Sequence, residues 1–207
     1  GGWAWDSGWF AALIGHPKID LPVPPTLELY KFKTFYAYHI SPLLTVVSWI
    51  MAPLPFGPPR LLAILLGSFE GALGLTTYAA LRSTCGSRAC TALIIPIAVL
   101  ATFCGPALAT ISSPHIEAAI SVSMLAFIVS RSLGHRITAA IAFAICLLAR
   151  EDGGLHLALL LGAVGVAKAL TDRSIKPLRD DALLIIGAIA YSGCAFLAQK
   201  FWFHGGQ

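Results

Sequence analysis

The sequence predicts an all-α, polytopic integral membrane protein, and three observations carry that prediction. Of 207 residues, 57% are apolar and only 12% are charged. Mean hydropathy is +0.79. Uncharged runs close to the roughly 20 residues that a helix needs to cross a ~30 Å hydrocarbon core recur along the chain. Soluble domains carry roughly 25% charged residues, and half that proportion cannot solvate the surface of a globule. The composition therefore excludes a soluble enzyme, a disordered chain and a nucleic-acid binder, despite a formal net charge of +4.

The chain opens on Gly1-Gly2-Trp3-Ala4-Trp5-Asp6, without the charged, apolar and small-residue regions of a secretory signal. It is expected to be part of a longer membrane protein. Residues 1–60 form a first region, too apolar for a free tail. Trp3, Trp5, Trp9, Phe10, Tyr30, Phe32, Phe35, Tyr36 and Tyr38 belong to it, and such side chains favour the headgroup level. Leu21-Pro22-Val23-Pro24-Pro25 is a proline-stiffened extended piece that cannot be helix interior. Short helices are expected near 6–15 and 40–50, with the whole segment lying along the membrane surface. Such a segment suits a lid over a cavity that handles a lipid-borne headgroup, and equally a structural cover or a protein contact. The apolar stretch 40–56, interrupted or bounded by Pro42, Pro53, Pro55, Pro58 and Pro59, reads as a re-entrant or interfacial helix, with a seventh crossing as the alternative.

Residues 61–207 form the second region, a six-helix transmembrane bundle. Its crossings are 61–81, 91–112, 117–130, 137–149, 154–170 and 182–203. Phe201-Trp202-Phe203-His204 closes the last run with an interfacial aromatic cluster. Orientation follows from Lys and Arg in short loops, which accumulate on the cytoplasmic side. With residues 1–60 outside, the inner loops hold Arg82, Arg88, Arg131, Arg136, Lys168, Arg173, Lys176 and Arg179, and the outer short loops hold only Arg150.

Asp6, Glu117, Glu151 and Asp152 then share the outer face, which suggests a polar site there. Solvated edges and helix caps are the bland alternatives. Asp6 before Ser7-Gly8 suits an N-cap, and Glu151 and Asp152 suit the positive end of a helix starting near 154. His39 and His115 precede or flank prolines at segment starts, where hydrogen-bonding turn roles are common. Glu70 is the only acid deep in a span, at a cost of at least ~2.5–3.5 kcal/mol. A protonated Glu70 bonded to a neighbouring helix is favoured over a proton relay. Gly67, Gly71 and Gly74 read as a small-residue contact face, as do Gly162 and Gly165 with Ala158 and Ala169. Cys85 and Cys90 fall in a cytoplasmic loop on this topology and should be reduced; a disulfide would argue for the inverted orientation. Cys/His spacing for zinc or haem, a P-loop and a Rossmann glycine pattern are all missing from the sequence.

Five motifs in order carry a resemblance. They are Asp6-Ser7-Gly8-Trp9-Phe10, His39-Ile40-Ser41-Pro42-Leu43-Leu44, the helix end Tyr78-Ala79-Ala80-Leu81-Arg82, His115-Ile116-Glu117-Ala118, and Arg150-Glu151-Asp152-Gly153-Gly154-Leu155. The chain resembles a bacterial membrane-protein family of unknown function that is related to the GT-C superfamily of glycosyltransferases. Members carry an Asp-x-Gly-x-Phe loop, a His-Phe-Ser-Pro segment, a His-Pro-Glu-Ala element and a Lys-Glu-Asp turn. Tyr38 stands where the family often has Asp, and Ile116 replaces its Pro.

The resemblance implies a further helix before Asp6, several more after residue 203, and residence in the bacterial cytoplasmic membrane with residues 1–60 extracytoplasmic. It implies inverting transfer of a sugar from a polyprenyl-phosphate donor, with Asp6 as general base because the attacking hydroxyl must lose its proton. His39, His115, Glu117, Glu151 and Asp152 are then candidates for binding substrate, with a divalent cation as a possible partner of the carboxylates. Lys31, Lys33 and Arg150 would meet the lipid phosphate. A non-catalytic subunit packed on other membrane subunits is the second expectation, and a carrier working through Glu70 the third.

Overall fold

The computed structural model describes residues 3–19, 21–23, 31–85, 88–104 and 116–204; the side chains of 3–7, 88–89 and 91 are outside that description. Eight α-helices and one 3₁₀ turn appear among the described residues. They are α1 Trp3–Ile14, the 3₁₀ turn Phe35–Ala37, α2 Pro42–Met51, α3 Pro58–Thr84, α4 Arg88–Thr102, α5 Ala118–Ser132, α6 Arg136–Ala149, α7 Gly153–Asp172 and α8 Lys176–Phe201. The all-α class and the two short helices within residues 1–60 agree with the sequence. The expected re-entrant stretch contains α2, which ends at Met51, well short of a crossing.

Prolines open several helices, as their fixed φ and missing donor allow. Ser41 caps α2, its hydroxyl accepting the Leu44 N–H at 3.4 Å, and Pro42 takes the first helical position. Pro58 and Pro59 open α3, and Pro177 lies in the first turn of α8. Arg173, in the left-handed region at φ 49°, ends α7.

Among the described residues three helices, α3, α7 and α8, are long and apolar enough to cross a membrane, where six crossings are expected. The difference is one of length. α5 and α6 have 15 and 14 residues, about 21–23 Å at 1.5 Å per residue. α4 ends at Thr102, and the rest of the run 91–112 lies largely outside the described residues. Leu75, Leu159, Leu170 and Leu183 are between 72% and 84% exposed. Apolar side chains facing outward from long apolar helices are what lipid contact requires. The chain has the hydrophobic helices of an integral membrane protein.

Within the fold, α7 packs mainly on α8 and α5 on α6, while α3 contacts α1, α4 and α5. One apolar core joins Leu13, Ile14, Phe35 and Leu44 of the first sixty residues to Leu61, Leu65, Ile120, Leu157 and Leu161. The early segment is thus seated on the helices rather than lying free of them. At the far end, Arg131 of α5 pairs with Asp181 of α8.

Several packing expectations need correction. Gly67, Gly71 and Gly162 have open space where a Cβ would stand, whereas a Cβ at Gly74 would lie 2.9 Å from Thr102 Oγ1 and one at Gly165 would crowd Leu178. Both Glu70 carboxylate oxygens lack a hydrogen-bond partner among the described residues, so the neighbouring-helix bond expected for Glu70 does not occur among them. Cys85 and Cys90 form a disulfide across the α3–α4 turn, with Cα atoms 5.7 Å apart, where reduced thiols were expected from the distribution of Lys and Arg. Disulfides belong to oxidising compartments, so this bond and the basic loops at the same end give opposite signs for sidedness.

Candidate functional site

The His39-Ile40-Ser41-Pro42 segment and the α6–α7 turn are joined by one side chain. Glu151, 5% exposed, accepts from His39 Nδ1 at 2.9 Å and from the Ile40 backbone N–H at 3.0 Å. Ser41 and Pro42 start α2 directly afterwards, which fixes the backbone that presents these two donors. The bond from Nδ1 to the Glu151 carboxylate fixes the orientation of the His39 ring. Its ring packs edge-on against Tyr38 and Phe35. Gln199 at the end of α8 donates to the Tyr38 carbonyl at 2.7 Å, and Phe203 meets Tyr36 edge-on.

Arg150 supplies the second junction. It donates to Glu117 Oε1 at 3.0 Å and to Asp152 Oδ2 at 2.8 Å, and its Nε lies 3.8 Å from Glu151 Oε1. Glu117 and Asp152 occupy the N-cap positions of α5 and α7, yet neither side chain makes the capping bond. Their carboxylates are turned to Arg150, so the capping alternative open for Asp152 is not realised. His156, one turn into α7, stands 3.7 Å from Asp152.

Four of the six sequence-derived site residues therefore meet: His39, Glu117, Glu151 and Asp152. His115 lies outside the described residues. Asp6 falls in the first turn of α1 rather than ahead of the helix, which is not an N-cap position, and its side chain also lies outside the described residues. The sequence reading missed the bonds that organise the cluster. Arg150 was assigned to a lipid phosphate and instead holds Glu117 and Asp152; its position next to Glu151 was the available signal. Lys31 and Lys33, the other cations of that group, are exposed.

A divalent cation does not fit this arrangement. Among the described residues no three His, Cys, Asp or Glu side chains are placed to hold a metal. The guanidinium of Arg150 occupies the position between the carboxylates that a cation would need. Burial works against the Arg150 charge, but the fields of Asp152, Glu117 and Glu151 outweigh it and raise its pKa further.

Burial likewise opposes ionisation of Glu151, yet the His39 bond, a backbone hydrogen bond and the His39 and Arg150 charges together hold it below the ordinary value of 4.5. A lowered folded-state pKa means that the carboxylate stabilises the fold in full above the unfolded-chain value. That stabilisation is lost as pH falls through the folded-state pKa. Unfolding midpoints of the native chain and of Glu151→Gln are expected to differ at neutral pH and to converge only below about pH 4. A gap that stays constant down to acid pH would refute this account of Glu151.

Beside the cluster lies a cavity of about 600 Å³ between α5 and α7. Glu117, Arg150, Asp152 and His156 line its polar end, and Ile120, Met124, Ile128, Leu160 and Val164 line the rest. The chain matches no protein-family model, no curated protein and no solved structure.

Proposed function

We propose that the chain is a GT-C-like membrane glycosyltransferase, or a truncated or degenerate relative of one, acting on a sugar carried by a polyprenyl phosphate. One observation carries the reading. Glu117 and Asp152 are brought together by Arg150 at the polar end of a largely apolar cavity, next to the Glu151–His39 link. In the proposed step the acceptor hydroxyl attacks the anomeric carbon from the face opposite the phosphate, and its proton passes to Asp6. The bond from the anomeric carbon to the phosphate oxygen breaks, and the phosphate departs with the electron pair. Lys31 and Lys33 are the exposed cations available to that phosphate. His39, Glu117, Glu151 and Asp152 would meet sugar hydroxyls, and His115 is kept as a further binding residue through the motif alone.

The reading keeps six crossings, with α4, α5 and α6 completing the set, and the short pair α5–α6 accommodated by Arg131 and Arg136 reaching to the interface. It places the cluster on the extracytoplasmic face of a bacterial cytoplasmic membrane, because the basic short loops lie at the opposite end. The Cys85–Cys90 bond argues the other way, and vesicles of defined sidedness decide between them. Right-side-out vesicles supplied with a polyprenyl-phosphate sugar are expected to show transfer that inverted vesicles lack and that Asp6→Asn reduces by about 100-fold or more. Intact transfer in Asp6→Asn would remove Asp6 as the base, and transfer confined to inverted vesicles would reverse the orientation.

A non-catalytic subunit of a larger membrane complex is the second reading. It is favoured by the open Gly67 and Gly71 positions beside Glu70, whose oxygens lack partners among the described residues. A neighbouring helix could pack there and supply the missing donor.

A further inference from the structure

At the end of the bundle away from Arg150, a cavity of about 560 Å³ lies between α5, α6 and α8. Its space comes from small residues: Gly134 in the α5–α6 turn, and Ala139 and Ala140 on α6. Arg136, Ala140 and Phe143 recur at helical spacing along one face of α6. From Arg136 to Phe143 that wall rises about 10 Å at 1.5 Å per residue. Arg131 and Arg136 stand at the turn, and the deeper part is Phe127, Phe143 and Leu184, with the two rings 5.4 Å apart. Charge at the rim and an apolar wall further along the helices suit an amphiphile.

The charges at the rim specify the sign of its head. Arg131 donates to the largely buried Asp181 of α8, and its guanidinium lies 5.9 Å from the centre of the Phe127 ring. Asp181 is thus matched one to one. Arg136 is exposed and has no ion pair among the described residues, so the lining carries a positive surplus. His135, exposed next to it, can only add to that surplus. Around the α7–α8 connection at the same end, Lys168, Arg173, Lys176 and Arg179 outnumber Asp172 and Asp180. His135 is also the N-cap of α6 but makes no side-chain capping bond, which leaves backbone N–H groups of the first turn to an anion. A guanidinium fork and such N–H groups match the oxygens of a phosphate, and the surplus turns away the ammonium of a zwitterionic head.

We propose that this cavity binds an anionic phospholipid of the phosphatidylglycerol type, its phosphate on Arg136 and the start of α6, and the first part of an acyl chain against Phe127, Phe143 and Leu184. The site is about 21 Å from Glu117 along α5 at 1.5 Å per residue, so it does not rest on sugar transfer.

The test is native mass spectrometry of the full chain equilibrated with mixed micelles of phosphatidylglycerol and phosphatidylcholine in equal amounts. Phosphatidylglycerol is expected to be retained about fivefold or more over phosphatidylcholine, the worth of one basic residue facing an anionic lipid. Arg136→Gln is expected to bring the two lipids level. Arg179→Gln, exposed at the same end but outside the cavity lining, should leave the preference intact. Ala140 is exposed on the cavity wall, and Ala140→Trp, which fills the space, should abolish retention of both. Excess glycerol 3-phosphate, which has the head without a chain, should displace neither. Level retention by the native chain, an equal loss in Arg179→Gln, or undiminished retention in Ala140→Trp would each overturn the proposal. Displacement by glycerol 3-phosphate would make it a soluble-phosphate site instead, and a protein chain lost from Ala140→Trp in place of a lipid would make it a protein contact. Should Ala140→Trp fail to fold, the comparison of Arg136→Gln with Arg179→Gln decides.

Discussion

Replacing Gly154 with alanine is expected to separate α7 from α8 and to destabilise the fold by about 2–3 kcal/mol, the upper part of the usual cost of overpacking. A Cβ at Gly154 would overlap the Ala188 carbonyl oxygen and lie 2.8 Å from Ser192 Oγ. The first of these is backbone in the middle of α8, so relief requires moving a helix rather than turning a side chain. Gly153 is restricted in the same way by the Cys146 carbonyl of α6. The two glycines therefore set how closely the first turn of α7 fits between its neighbours, directly beside Asp152 and Glu151.

Cys146 provides the measurement. It is fully buried, with its sulfur 3.7 Å from the Gly153 carbonyl oxygen. With the exposed Cys104 and Cys194 replaced by serine, alkylation of Cys146 reports opening of this junction. Gly154→Ala is expected to accelerate it by about two orders of magnitude, at 1.4 kcal/mol per tenfold. Gly162→Ala, on the same helix with open space around it, is the control and should leave the rate unchanged or lower it, since alanine is the better helix former. Equal effects from the two substitutions would show that close packing at Gly154 is not what holds α7.

The second large effect is expected at Glu151. Alanine there removes the acceptor for both the His39 imidazole and the Ile40 N–H, and withdraws one of the three carboxylates around Arg150. Stranding buried donors is costlier than losing a bond on the surface, and about 3 kcal/mol is expected. Glu117 also binds Arg150, but its side chain is 30% exposed, and Glu117→Ala should cost no more than about 1 kcal/mol. Unfolding midpoints in a denaturing-detergent titration distinguish the two. If Glu117→Ala proves as damaging as Glu151→Ala, the clamp on the His39-Ile40 segment is not the principal link.

Parts of this site could be read along the chain. Ser41-Pro42 is a local helix start, and it forms as one because a hydroxyl followed by proline suits the N-cap and first helical position. The shared side of Glu117, Glu151 and Asp152 followed from counting helices between them, and the ion pairs through Arg150 place them together. What could not be read is which acceptor takes which donor. The bond from Glu151 to His39 joins positions 112 residues apart, and no local pattern marks it. The sequence leaves capping open for Asp152, and the structure gives its carboxylate to Arg150 instead. Glu70 shows the opposite failure: its type and depth imply a bonding partner, and none stands there among the described residues.

Composition and hydropathic run length by themselves determined that this chain is helical and belongs in a membrane, because those properties depend on solvent transfer and helix length, which need no knowledge of neighbours. Tertiary structure alone decided that Gly154 is crowded by α8, that Glu151 takes the His39 and Ile40 donors, and that Arg150 reaches Glu117. Each of these depends on distances between atoms remote in sequence. Such distances follow from how the helices pack, and the order of residues does not encode them locally.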